Sequence, residues 1–161
     1  MNILKTSAIA LTACVMTAGM ALVGSQAARA EDYESFTLAP GFRPNPVVGT
    51  GLSGGTRLVD CYTNESGGRT LVRTYVDSAN APDHVVTVTR PFSNLRASVQ
   101  ADGDVTLLID GPDGTYCSDD VDGLMPSISG NWPAGTYNIW IGDFVGDGSG
   151  VYRYRLFLTQ Q

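Results

Sequence analysis

The sequence predicts an all-β protein, a sandwich or barrel. Two observations carry this. No segment of the chain after its first 30 residues keeps a convincing helical period, and alternation of apolar and polar residues dominates instead, the mark of half-buried strands. Turn residues recur about every 8 to 12 positions, the spacing of short strands joined by tight turns.

Residues 1–30 read as a secretory leader. Lys5 is the only charge before Arg29, Thr6 to Gly24 is apolar or small, and Ala28-Arg29-Ala30 gives the small-x-small pattern of a cleavage site before Glu31. Leu11-Thr12-Ala13-Cys14 resembles a lipoprotein box, but the apolar run continues past Cys14, so cleavage after Ala30 is the expectation and lipidation of Cys14 the alternative. Residues 31–55 read as an irregular lead-in with a short strand at Phe36 to Leu38, and 56–161 as the β-domain.

Within it, Val85 to Thr89 is β-branched, Leu95 to Val99 alternates, and Val105 to Asp110 is a strand. Gly111-Pro112-Asp113-Gly114 is a turn, with Pro at its second position. Thr115 to Ser118 returns antiparallel. Asn64 to Gly68 is a further turn, and Asn64-Glu65-Ser66 fits a glycosylation sequon. Thr136 to Ile141 and Val151 to Thr159 are expected to pair across Gly142 to Gly150.

Removing the leader removes Lys5 and Arg29, which takes the net charge from −6 to −8 and leaves arginine as the only strong cation. This balance argues against nucleic acid and anionic membranes as partners and suits a solvated exported protein. The expected location is the periplasm or the medium, with no membrane insertion after cleavage. Cys61 and Cys117 remain, and an even pair in an exported chain is most simply a disulfide.

Catalysis finds no complete set of groups. Gly51-Leu52-Ser53-Gly54-Gly55 matches G-x-S-x-G, but that elbow needs a strand turning into a helix, and none follows. His84 is the sole histidine, too few for a histidine-based zinc site and an isolated candidate for a general base. A small hydrolase using Ser53 and clustered aspartates is the remote alternative.

Two candidate sites remain. Asp102 and Asp104 precede the hairpin, and Asp119, Asp120 and Asp122 follow it. Pairing outward from the turn sets Ile109 against Tyr116 and Leu107 against Ser118, so Asp104 falls near Asp120 or Val121. Gathered carboxylates repel, and Ca2+, which takes six to eight oxygens, would relieve this. The alternative is that these aspartates cap turns. No cofactor is required; Ca2+ is the candidate. The second site comes from strand parity. Tyr137, Ile139 and Ile141 form one face, and Tyr152, Tyr154, Leu156 and Leu158 another; these are the expected core faces. Asn138 and Trp140, with Arg153 and Arg155, would then form an outward platform able to stack on a sugar ring or anchor a protein. An arginine packing over Trp140, or a covering loop, is the alternative.

Gly103 to Ile109, the Gly111 to Gly114 turn, Ser118-Asp119-Asp120, Pro133 to Tyr137, Ile139-Trp140-Ile141 and Tyr154-Arg155-Leu156 resemble, in order and spacing, the bacterial pre-peptidase C-terminal domain. The resemblance covers roughly Asp83 to Thr159. It implies an antiparallel, jelly-roll-like β-sandwich of eight or nine strands with no catalytic residues. Some of its members bind calcium and polymers such as collagen or polysaccharide. Two features depart from the family: the domain is expected to stand alone after the leader, without a peptidase, and the cysteine pair is not part of the family's general pattern. The expected function is therefore a non-catalytic binding or accessory protein contacting a polysaccharide or protein surface. A structural component of the envelope or matrix is the alternative.

Overall fold

The computed structural model describes residues 34–63, 69–78, 81–144 and 151–161. The leader, Cys14 and the sequon at Asn64 lie outside these residues. The described chain is all-β, with strands β1 (Glu34–Leu38), β2 (Val47–Leu52), β3 (Arg57–Thr63), β4 (Thr70–Val76), β5 (His84–Val88), β6 (Phe92–Ala101), β7 (Val105–Gly111), β8 (Gly114–Ser118), β9 (Ser127–Trp132), β10 (Gly135–Asp143) and β11 (Arg153–Gln160).

These form two sheets. Seven strands run β1-β5-β10-β4-β3, with β7 on the other flank of β10 and β8 beyond β7; four run β2-β11-β6-β9. Between them lies one large core. Tyr137, Ile139 and Ile141 of β10 face it from one sheet, and Tyr154, Leu156 and Leu158 of β11 from the other, each at most 3% exposed. The parity reading of both strands holds. Each such side chain contributes about 1.5–3 kcal/mol on leaving water.

The β7–β8 hairpin has the expected register, with Ile109 opposite Tyr116 and Leu107 opposite Ser118. Gly114 takes φ +141, a conformation other residues adopt only under strain. Asp83 closes a gap in the larger sheet. Along one flank of β10 the partner changes from β5, ending at Ile139, to β4, starting at Asp143. In the gap the Asp83 carboxylate accepts the Ile141 N–H at 2.6 Å, and Gly54 N–H donates to the Ile141 carbonyl at 3.1 Å. Both backbone groups of Ile141 are therefore paired where the ladder is interrupted.

Four expectations change. Among the described residues the strands number 11, not eight or nine. The pairing is not wholly antiparallel, because β1 runs parallel to β5. The lead-in is part of the sandwich: β1 belongs to the larger sheet and β2 edges the smaller. Its glycines look like loop residues in the sequence, but they serve packing. A Cβ on Gly49 would lie 2.7 Å from His84 Cε1, and one on Gly51 would strike the Tyr154 ring. Lastly, β10 and β11 do not pair. Both flanks of β10 are taken, by β5 and β4 on one side and β7 on the other. β11 lies between β2 and β6. Two strands with equally apolar faces bury more by meeting face to face across the sandwich than by lying side by side.

Trp140 thus points to the outer side of the larger sheet, yet it is only 4% exposed. The β3–β4 hairpin folds over it, joining β10 through a single ladder pair, Asp143 with Tyr75. Cys61, Val72 and Val76 of the hairpin meet Leu108, Cys117 and Trp140 in a second core. The disulfide Cys61–Cys117 staples β3 to β8 across it. Reducing this bond, or replacing both cysteines with serine, should cost about 4 kcal/mol for a loop of 56 residues. Urea midpoints with and without reductant measure this; an unchanged midpoint would show that packing alone holds the hairpin.

Candidate functional site

The hairpin gathers three of the five predicted aspartates. Asp104 lies just before β7, and Asp119 and Asp120 just after β8, so the ladder brings them to one end. Each offers a carboxylate oxygen, and the three oxygens lie within 4.8 Å of one another. Asp104 Oδ1 is screened from water and has no hydrogen-bond donor. Burial, and then the carboxylates of Asp120 and Asp143, push the Asp104 carboxyl above its ordinary range. Such a group is chemically suited to a hard divalent cation, with backbone carbonyls or water completing the shell.

The other two aspartates stand apart. Asp122 exchanges backbone hydrogen bonds with Met125 around Gly123, a turn role. Asp102 donates its N–H to the Arg153 carbonyl at 3.3 Å, beside the smaller sheet.

The aromatic–arginine platform is divided by the fold. Asn138 and Trp140 belong to the larger sheet, and Arg153 and Arg155 to the smaller. The cation over the Trp140 ring is Arg57, 5.7 Å from its centroid. The indole Nε1–H donates to the Ser78 carbonyl at 3.4 Å. Trp140 is therefore a packing residue, and no ligand platform forms there.

Arg153 and Arg155 do face solvent, on the side of β11 opposite its core face. The Arg155 guanidinium lies 5.1 Å from the Phe157 ring centroid. On neighbouring β6, Arg96 shares this outer face, opposite Thr159, and donates to Ser127 Oγ at 2.8 Å. Among the described residues no carboxylate comes within 4.0 Å of these three arginines. A shallow depression of about 330 Å3 runs between Arg153, Arg155, Gln100 and Asp102.

Ser53 and His84 do not form a catalytic pair. Ser53 is buried; its Oγ accepts the Tyr152 N–H at 3.0 Å, and its own N–H donates to the Tyr152 carbonyl at 2.8 Å. His84 is fully buried, with Nε2 2.8 Å from the Tyr154 hydroxyl and Nδ1 3.9 Å from Glu34 Oε2. Among the described residues no hydrogen bond joins Ser53 to His84.

A feature that sequence reasoning missed is a cleft of about 150 Å3 between β8 and β9, with Trp132 and Tyr137 in its wall. Its signal was the alternation Ile128, Gly130, Trp132, in which the glycine leaves a gap in an apolar row.

Two predictions follow from these environments. Burial holds the His84 imidazolium below its ordinary range, and the Glu34 carboxylate only partly opposes this. The folded protein thus binds the proton less readily than the unfolded chain, whose histidine titrates near 6.5. Stability is full above about pH 6.5 and falls as pH drops toward the folded pKa, by at most about 1.4 kcal/mol per pH unit. Urea midpoints at pH 7.5 and 5.5 should show this loss, and His84→Gln should flatten it. For the carboxylate group, Ca2+ at 100 times its dissociation constant should stabilise the metal-stripped protein by about 2.7 kcal/mol. Asp104→Asn should abolish that gain while easing repulsion in the metal-free form. An unmoved melting temperature at millimolar Ca2+ would remove the site.

No family model matches the chain. A comparison with curated proteins finds an uncharacterized protein of Synechococcus elongatus, 40% identical over 114 residues, spanning 68% of this chain and 72% of that protein. The extent and identity of this match place the chain in the same family as the Synechococcus elongatus protein.

Proposed function

We propose that the protein is an exported, non-catalytic β-sandwich module that binds an acidic polysaccharide through the outer face of its smaller sheet. One observation carries this reading. Arg153 and Arg155 stand exposed on the same side of β11 with no carboxylate partner among the described residues, in a chain whose Asp and Glu total 16 against 10 Lys and Arg. Two residues along a strand separate them by about 6.6 Å, a spacing that suits a ladder of anionic groups. Gln100 and Thr50, opposite Arg155 on either side, add neutral hydrogen-bonding groups. Guanidinium forks hold carboxylates and sulfates in two-point contacts.

Export is supported by the leader pattern and by the disulfide, which fits an oxidising compartment. The resemblance to pre-peptidase C-terminal domains favours polymer binding with Ca2+ as a stabiliser. In that reading Asp104, Asp119 and Asp120 hold the ion away from the ligand and stiffen the hairpin.

A structural role is the second reading, favoured by the outer face of the β3–β4 hairpin. There Leu58, Tyr62 and Leu71 are 44–51% exposed around the Arg73–Asp60 ion pair. Self-association through this patch would bury them. Sedimentation of the wild type against Leu71→Asp separates the two roles.

Binding of polygalacturonate at low salt, with neutral dextran as control, tests the main reading. Arg153→Glu/Arg155→Glu should weaken it about tenfold or more, a loss of at least one strong charge contact. Arg43→Glu/Arg90→Glu changes the net charge equally from the connecting loops and should have little effect. Equal losses in the two double variants, or equal binding of dextran, would overturn it.

A further inference from the structure

Both sheets leave an edge on one side of the sandwich. Among the described residues β8 pairs only with β7, and β9 only with β6. The edges touch where Ser127 N–H donates to Ser118 Oγ at 3.0 Å. Toward the hairpin turn the cleft of about 150 Å3 opens between them. Glycine creates this space. Ile128 and Trp132 pack into the core, so alternation puts Gly130 at the inward position between them. A Cβ on Gly130 would meet nothing within 4 Å.

The wall behind this gap is aromatic. Trp132 and Tyr137 pack with centroids 4.6 Å apart. Burial pushes the Tyr137 phenol up to about 12, and its hydroxyl donates to the Pro133 carbonyl at 2.8 Å, so it stays neutral and fixed. The rim is polar. Asp113 accepts the Tyr116 hydroxyl at 2.9 Å on the hairpin side, and Ser129 and Asn131 line the β9 side.

We propose that this cleft binds a single pyranose ring, a uronate at the end of a glycan chain. An apolar cavity of about 150 Å3 takes up benzene, so the cleft holds the ring skeleton of one sugar while its hydroxyl and carboxyl substituents stand in the open mouth. The C–H face of a sugar packs on the exposed Tyr116 ring, above a floor of Trp132 and Tyr137. Its hydroxyls meet the Asp113 carboxylate and the Tyr116 hydroxyl at the rim. A purely apolar ring would cover the same rim groups without pairing them, at a desolvation cost. The position of the mouth favours an acidic sugar. Ser129 is the ladder partner of Arg96, so a chain leaving the cleft over β9 meets the first guanidinium of the outer face. The choice of an acidic glycan rests on the function proposed above; the cleft and its polar rim do not.

Saturation-transfer NMR on the mature, disulfide-intact protein tests this, with free galacturonate and glucuronate as probes and phenol as comparator. Gly130→Val is the blocking variant. Gly130 is not in the left-handed region, and valine suits a strand, so the variant should melt at or above the wild-type temperature. It should bind the uronates about tenfold more weakly or worse, because its side chain occupies the ring's place. Gly130→Ala should give a smaller loss and serves if valine disturbs folding. Uronate binding that survives both substitutions, absence of uronate binding to the wild type, or binding of phenol alone would overturn the proposal. Phenol alone would identify the occupant as an aromatic side chain of a protein. Arg153→Glu/Arg155→Glu should leave binding of the free monosaccharides intact. If that variant keeps polygalacturonate binding while Gly130→Val loses the uronates, the face reading fails and the cleft stands.

Discussion

The contact between β10 and β11 across the sandwich organises the molecule. Each strand is flanked by others of its own sheet, and each turns a row of large apolar side chains toward the other. Once those rows meet, alternation leaves no freedom for the residues between them. Arg153 and Arg155 must leave by one outer face, and Asn138 and Trp140 by the opposite one. The arginines tolerate water. The indole does not, and a further hairpin covers it. The second core is thus a consequence of the first.

The same contact brings polar groups inside. His84 from the larger sheet reaches Tyr154 in the smaller one, and the fit between their rings and β2 leaves room for no side chain at Gly49 or Gly51. A hydrogen bond between sheets specifies their relative position more tightly than apolar contact does, because its geometry is directional. It also occupies the sole histidine of the chain, a residue whose chemistry in the sequence suggests a catalyst.

How far the sequence was legible depended on whether a feature was local. The β7–β8 register followed from counting outward from one turn, and with it the meeting of Asp104 with Asp120. Core faces followed from parity within single strands. Strand partnership did not, because it depends on which edges are free after the whole sheet is assembled. For this reason the pairing of β10 with β11, and the platform built on it, were misplaced. β2 was hidden for another reason: Gly49 and Gly51 signal a loop by composition, while their cause lies in the bulk of residues from distant strands. Gly130 conceals the cleft in the same way, since a missing side chain becomes informative only when its neighbours are known.

The attachment of the β3–β4 hairpin has a consequence for how the molecule comes apart. One ladder pair, the buried hydrogen bond between the Thr74 and Thr106 hydroxyls, a patch of side chains and one covalent bond hold it to the rest. The main core has no such narrow junction. An element attached this narrowly is the kind that local fluctuations open before the main core. That opening unveils Trp140 while the sandwich, its arginine face and its cleft persist. In a reducing compartment the tether is lost, and the exposed strands become a preferred point of entry for proteases.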